Sequence, residues 1–384
     1  MLHPTSRWLR LVATLALIAL LGSCATVNPY YDAKQPHHRP DGFQNRHAEF
    51  QPRGLFDLVR WRLDAALDDL PRAGAPTPQV AADLTFLRAN ATAGTAMTPA
   101  VTWIGHSTVL AQFGGLNLLT DPMFSERASP VAWTGPRRAQ PPGVALRELP
   151  RIDVVLLSHD HYDHLDEASV QALEAQAGGP PLFVAPLGVG RWLREQGMSR
   201  VVELDWWQSH RVGPLEVVLT PAQHWSGRTL SDRLLRLWGG FAVFAPDLHF
   251  FYSGDTGYSP DFADIGRHFG ERNGPAGFDI ALIPIGAYEP RWFMGEQHVN
   301  PDEAVRIHLD VRAQRSLGVH WGTFELTDEA LDAPPRALAE ARRAQGVADD
   351  RFFVLAVGET RRLPRRGAAE VVATPAGTTM RPER

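Results

Sequence analysis

The chain has 384 residues, 44% hydrophobic and 21% charged, a globular composition with ample length for a large core. A formal net charge of -5 with no basic stripe excludes nucleic acid as a default partner. The single cysteine excludes an intramolecular disulfide and any multi-cysteine metal site.

The first 23 residues read as a targeting segment. Arg7 and Arg10 precede the apolar run LVATLALIALL at 11–21. That run is too short for a membrane span, which needs about 20 residues, but suits a secretory signal. Leu21-Gly22-Ser23-Cys24 resembles a bacterial lipobox, and the resemblance implies that Cys24 is lipidated and becomes the mature N-terminus. An ordinary cleaved signal is the alternative. Ala25 after the cysteine implies the outer membrane, periplasmic side, of a Gram-negative host. Residues 24–54 are polar and aperiodic and read as a tether. Residues 55–95 form an N-terminal helical extension. In LFDLVRWRLDAALDDL the apolar residues recur near helical spacing, which predicts a helix packed on the main domain, and APTPQ at 75–79 breaks it.

From residue 96 to 361 the texture is that of one large domain. VTWIGHSTVLAQF, Gly114-Gly115 and LNLLTD read as a β-hairpin. IDVVLLS at 152–158 reads as a strand buried on both faces. LFVAP, VVEL, LEVVLTPA, GFAVFA, HFFYSGD, FDIALIPIG, RSLGVHW and FFVLAV are further strands. Helical stretches lie near 165–177, 187–197, 260–269, 301–312 and 327–345. The alternation predicts an α/β fold in which two sheets pack face to face with helices outside. Residues 362–384 are expected to be a disordered tail.

The chemistry concentrates in HDHYDHLD at 159–166, directly after the apolar strand. His159 and His161 are two apart and can converge on one ion just past a strand end. Asp163 and His164 follow, where a second ion could sit. Imidazole and carboxylate without thiolate suits zinc, iron or manganese. Four ligands cannot complete two sites. His224, Asp255 and His320 each end an apolar strand, where a sheet delivers side chains to one rim. Asp121, ending LNLLTD, reads as a hydrogen-bond partner behind a ligand histidine or as an Asp-Pro turn residue. His106 in WIGHST fits a core role or a site role equally.

These residues resemble the metallo-β-lactamase superfamily, whose fold is a four-layer αβ/βα sandwich with a dinuclear site at one edge. The resemblance implies that His159, His161 and His224 hold one metal, that Asp163, His164 and His320 hold the other, and that Asp255 bridges both. WIGHSTVL, LTDPMFSERASP, TPAQHWSGR, SGDTGYSPDF, IPIGAYEPRWFMGEQHVNPDEA and HWGTFELTDE are similar to the branch of N-acyl-phosphatidylethanolamine-hydrolysing phospholipase D and its bacterial relatives. That similarity covers roughly residues 40–360. It implies substrate contacts at Tyr162, Gln297 and His298, with Asp163 and Asp255 in catalytic roles. Trp292, Phe293 and Met294 are expected to line the site.

The expectation is a hydrolase with two divalent ions, Zn2+ foremost, in which a metal-bridging hydroxide cleaves N-acyl-phosphatidylethanolamine to phosphatidic acid and an N-acylethanolamine. Its partner would be membrane phospholipid, and its address the cell envelope. Two other readings stand beside it. One is a different hydrolase of the same fold: a lactonase, another phosphodiesterase or a β-lactamase-like amidase. The other is a non-catalytic metal-binding envelope lipoprotein.

Overall fold

The structure is a computed structural model that describes residues 27–48, 53–229 and 231–367. The expected signal segment, Cys24 and the part of the expected tail beyond residue 367 lie outside the described residues.

Two seven-stranded sheets form the body. In chain order the strands of the first are β3 (Ala100–Gly105), β4 (Thr108–Phe113), β5 (Leu116–Thr120), β6 (Val154–Leu156), β7 (Leu182–Pro186), β8 (Val201–Leu204) and, last in sequence, β16 (Thr360–Arg362). The second holds β9 (Ser209–Val212), β10 (Leu215–Thr220), β11 (Gly240–Phe244), β12 (His249–Tyr252), β13 (Ile280–Pro284), β14 (Ser316–Val319) and β15 (Phe352–Phe353). The first sheet runs β16-β3-β4-β5-β6-β7-β8 and the second β15-β14-β13-β12-β11-β10-β9. β5 to β8 are mutually parallel, as are β12 to β15.

The strand period of two explains the layering. Val154 and Leu156 join the core between the sheets, with Trp103, Val109, Phe241 and Leu282. Val155 and Leu157 point the other way, into a second core with Val170 and Leu173 of α3 (Glu167–Glu174) and Val189 and Leu193 of α4 (Val189–Glu195). Outside the second sheet, α5 (Asp261–His268), α8 (Pro301–Asp310) and α9 (Ala333–Gln345) supply Phe262, Ile265, Val305, Ile307 and Leu338. Helix, sheet, sheet, helix is the four-layer α/β sandwich. Strands apolar on both faces are the sequence signature of such burial.

Four expectations change. The segment read as one arm of a hairpin, 101–113, is two strands, because the chain reverses at Gly105 (φ 132°) and His106 (φ 53°). The described part of the expected tether, 27–48, packs on the domain. It forms the hairpin β1 (His38–Arg39) and β2 (Gly42–Phe43), and Phe43 joins the central core. His37 and His38 clasp the buried Asp205, with Nε2 to carboxylate distances of 2.6 and 3.1 Å. The backbone N–H of Asp32 donates to His38 Nδ1 at 3.1 Å, so the neutral His38 ring carries its proton on Nε2, beside the Asp205 carboxylate. The expected tail begins too early, since Arg362 ends β16, Leu363 is buried and Arg366 pairs with Asp279 at 2.9 Å. Finally, α1 (Leu55–Leu67) exists as expected, but Phe56, Leu58, Val59, Leu63 and Leu67 are exposed and Trp61 is its buried anchor. α2 (Leu84–Ala91) completes the extension and buries Leu87 in the outer core of the first sheet.

Candidate metal centre

Every candidate ligand lies just past a strand end, at the rim where the two sheets meet. His106 follows β3 and Asp121 follows β5. The HDHYDH cluster follows β6, His224 follows β10, Asp255 follows β12 and His320 follows β14. Loops at the carboxyl ends of parallel strands are where open α/β sheets place ligands. Three of these residues, His106, Asp121 and His320, sit at positive φ (53°, 31° and 61°), a conformation costly for non-glycine residues and stored mostly at functional sites. Hydrogen bonds across the sheets hold them. The N–H of His320 donates to the His106 carbonyl (3.1 Å), and the N–H of His106 donates to Thr323 Oγ1 (2.8 Å). Gly254, before Asp255, has φ +63°, and a Cβ there would meet the Gly239 carbonyl oxygen at 2.7 Å and Ser158 Cβ at 2.9 Å.

The side chains form two buried groups. In the first, His159 Nε2 lies 2.9 Å and His224 Nε2 3.2 Å from His161 Nδ1. In the second, His164 Nε2 and His320 Nε2 lie 2.9 and 3.0 Å from Asp255 Oδ2, and 3.4 and 3.3 Å from Asp163 Oδ2. Asp255 belongs to both neighbourhoods, because its carboxylate also groups with His224 and His298. All seven residues named from the sequence as ligands thus come together at one rim.

The outward nitrogens of His159, His164 and His224 are committed to hydrogen bonds that turn their other lone pairs inward. Asp121 accepts from the backbone N–H of Ser158 (2.8 Å), the Ser158 hydroxyl (2.5 Å) and the Tyr252 hydroxyl (2.5 Å). It also lies 2.6 Å from His164 Nδ1. A carboxylate only accepts, so that nitrogen carries the proton and Nε2 faces the site. The Ser158 hydroxyl hydrogen is spent on Asp121, so His159 Nδ1–H donates to Ser158 Oγ (2.9 Å), and His159 Nε2 faces inward too. His224 Nδ1 donates to the Gln297 carbonyl at 2.9 Å. Asp121 therefore orients one imidazole of each group.

The charges fit a cation. Burial, and then neighbouring imidazoles, push His159 well below the usual range; burial takes His161 to about 4, and burial with His161 takes His224 to about 3. That group is neutral, with lone pairs converging. Burial also opposes protonation of His164 and His320, but the Asp255 carboxylate outweighs it, raising His164 well above its ordinary value and His320 to about 9. Burial raises Asp163 and Asp255, yet His164 outweighs it and holds both well below the carboxylate range. His164 Nε2, His320 Nε2 and Asp255 Oδ1 are buried without hydrogen-bond partners, as expected of metal ligands. Nitrogen and oxygen donors without sulfur suit a borderline or hard divalent ion.

Of the other sequence-named residues, Asp121 is the hydrogen-bond hub just described, and the turn alternative falls away. Tyr162 is half-buried, donates to the Arg228 carbonyl (2.9 Å) and lies under the Arg228 guanidinium. His298 is buried, with its ring 5.2 Å from that of His224 and 5.3 Å from that of His320. Gln297 is buried and reaches the site through its carbonyl. Met294 is buried, Trp292 is exposed, and Phe293 faces Trp61 of α1. His106 belongs at the site, with Nε2 3.0 Å from Asp163 Oδ2 and its ring 4.0 Å from that of His320. Asn45 was missed. Its side-chain amide brackets the His224 backbone, donating to the carbonyl and accepting from the N–H, both at 3.0 Å. No periodicity or motif in 27–48 points to it.

A family model described as a β-lactamase superfamily domain matches residues 116–321. An uncharacterised protein of Mycobacterium tuberculosis is 41% identical over 335 residues, 86% of each chain. The N-acyl-phosphatidylethanolamine-hydrolyzing phospholipase D 1 of Caenorhabditis elegans is 42% identical over 270 residues, covering 67% of this chain and 74% of that one. Among solved structures, an isothiocyanate hydrolase from Delia radicum gut bacteria aligns with a TM-score of 0.55 at 22% identity, covering 69% of this chain and 99% of that one, a likeness of fold. With the sandwich, the rim and its histidine–aspartate groups in agreement, the chain belongs to the metallo-β-lactamase superfamily and is a metal-dependent hydrolase.

Proposed function

We propose that the protein is a phosphodiester hydrolase of phospholipase D type that cleaves N-acyl-phosphatidylethanolamine, using two divalent ions, Zn2+ foremost. The observation that carries this reading is the 42% identity to the C. elegans enzyme of that printed activity. The two adjoining ligand groups linked by Asp255 support the count of ions. One ion would be held by His159, His161 and His224, the other by Asp163, His164 and His320, with Asp255 between. Bound there, the ions would neutralise phosphodiester charge and acidify water.

The chain's own groups do the positioning. Asp121 fixes the tautomers of His164 and, through Ser158, His159. The Gln297 carbonyl fixes that of His224. His106 holds Asp163 Oδ2, leaving the carboxylate oriented to accept a hydrogen bond from the attacking water. In this reading Tyr162, Gln297 and His298 would contact the substrate phosphate or amide. In the reaction the water oxygen forms a bond to phosphorus. The bond from phosphorus to the ethanolamine oxygen breaks, and that oxygen leaves with a proton as the N-acylethanolamine. The reading includes a lipoprotein held at the cell envelope through Cys24, which mass spectrometry of the N-terminal peptide tests.

The functional test is turnover of N-acyl-phosphatidylethanolamine in 18O-labelled water. Release of N-acylethanolamine with the label in phosphatidic acid is expected. Label in the alcohol, or turnover of lactones, cyclic nucleotides or β-lactams in place of the lipid, would overturn it.

A further inference from the structure

Three successive backbone carbonyls, those of Glu296, Gln297 and His298, each accept a hydrogen bond from a side chain. Gln223 Nε2–H donates to the first (2.9 Å), His224 Nδ1–H to the second (2.9 Å) and the Arg291 guanidinium to the third (2.8 Å). Of these donors only the guanidinium carries a full charge, which makes its bond the strongest of the three. The first two donors come from the stretch that ends at a candidate ligand, so the turn is stitched to the metal centre. Arg291 comes from the turn's own side. It opens α7 (Arg291–Met294), a single helical turn that leads straight into residues 295–298.

The chain folds around that guanidinium. The Gly295 N–H donates to the Arg291 carbonyl, and the N–H groups of Gln297 and His298 both donate to the Met294 carbonyl, each at 2.9 Å. A Cβ at Gly295 would meet Arg291 Nη2 at 3.1 Å and Cζ at 3.3 Å, so the glycine leaves room for the guanidinium plane. The other arm of the fork, Nη2, donates to Glu303 Oε2 (2.8 Å). Glu303 is itself fixed by the capping box of α8. Its Oε2 accepts from the Asn300 N–H (3.0 Å), and its own N–H donates to Asn300 Oδ1 (2.9 Å). The guanidinium thus spans from a helix terminus to the His298 carbonyl, as a rigid planar fork can and a single ammonium cannot. The entry to the segment is held separately. Glu329 accepts from the N–H groups of Ala287, Tyr288 and Glu289 (2.6, 3.3 and 3.1 Å), so loss of Arg291 loosens the exit alone.

We propose that Arg291 is a positioning residue for the group of His159, His161 and His224. Its guanidinium holds the His298 carbonyl and with it the whole turn. The turn holds the Gln297 carbonyl where it takes the Nδ1 proton of His224, which leaves Nε2 as a lone pair facing the site. In the other group His164 takes its tautomer from Asp121, on a different loop, so this path does not reach it. Removing Arg291 therefore weakens the grip on one ion and spares its neighbour. Arg291 has this role whatever the substrate, because the path ends on a metal ligand.

The test uses Arg291→Ala and Arg291→Lys in the full, zinc-loaded chain. Dialysis against a graded zinc chelator, followed by elemental analysis, reads the two ions. In Arg291→Ala the affinity for one ion should fall about tenfold while that for the other stays within about twofold of the parent. With the histidines labelled with 15N, the Nδ1–H of His224 should exchange with water faster, while those of His159 and His164 keep the parent rate. Arg291 is 30% exposed, so the space it vacates is open to methylguanidinium, which should restore most of the lost affinity; sodium chloride at equal ionic strength should not. Arg291→Lys keeps a charge beside Glu303 but cannot fork, and should fall between. Two unchanged affinities overturn the proposal. So does equal weakening of both ions with no response to methylguanidinium, which would make Arg291 a support of the fold at large. Should Arg291→Ala fail to fold, an Arg291→Lys protein that holds both ions as the parent does overturns it as well.

Discussion

Replacing Asp121 by asparagine removes one negative charge and one acceptor from the point where both ligand groups are held. The carboxylate receives four hydrogens, from the Ser158 backbone and hydroxyl, the Tyr252 hydroxyl and His164 Nδ1. Asparagine keeps one acceptor oxygen and brings an NH2 to the other side. If the oxygen keeps the Ser158 N–H, the NH2 faces His164 Nδ1. The imidazole then relieves the clash by moving its proton to Nε2, the atom that faces Asp255 at 2.9 Å, and ceases to be a ligand. Loss of such a supporting partner costs about 10- to 100-fold in metal affinity, or about 1.4–2.8 kcal/mol. His159 is held by the same carboxylate through Ser158, so both sites should weaken, the His164 site more. Zinc competition against a chelator of known affinity measures the two constants, with circular dichroism and the melting temperature confirming the fold. Two constants within about twofold of the parent in a folded variant would refute the claim that Asp121 sets the ligand tautomers.

Loading the metal-free protein with zinc should release protons. His164 and His320, held as cations by Asp255 and Asp163, must become neutral to bind. The His320 group, raised to about 9, is protonated below that pH, and His164 is raised too, so affinity should climb as pH rises toward about 9. Calorimetry in buffers of different ionisation enthalpy reads the proton count, and zero release at pH 7 would contradict the assignment. Asn45→Ala leaves the His224 backbone N–H and carbonyl short of a partner. At about 1–3 kcal/mol for a buried orphan, the melting temperature should fall measurably and zinc content should drop; an unchanged melting curve would show that residues 27–48 are not structural. Gly254→Ala puts a methyl group against backbone and Ser158 at positive φ and should cost about 1–3 kcal/mol in chemical denaturation, with loss of metal. A variant as stable as the parent would show that the turn is not constrained.

Much of this architecture is written locally. Val154 to Leu157 read as a strand apolar on both faces, and the structure buries it between two layers. HDHYDHLD and three strand-end residues came together because a sheet delivers successive strand ends to one edge. What was not legible was long-range. His106 could be read as core or site, since its partner Asp163 is 57 residues away. Asn45 acts on a backbone 179 residues distant, from a polar stretch whose composition looks unstructured. α1 was legible as a helix by its period, but periodicity cannot say which apolar side the protein keeps for itself. Trp61 chose, by meeting Phe293 and Asp328. The break at Gly105 and His106 hid inside an apolar run because left-handed backbone leaves little trace in residue type beyond the glycine.

The central claim is that the two groups are two adjoining metal sites. Crystals of the metal-loaded protein, measured at the absorption edge of the bound element, test it most directly. Two anomalous peaks about 3.5–4 Å apart are predicted, one among His159, His161 and His224, the other among Asp163, His164 and His320, with Asp255 reaching both. A single peak, or peaks at His37, His38 and Asp205, would contradict it.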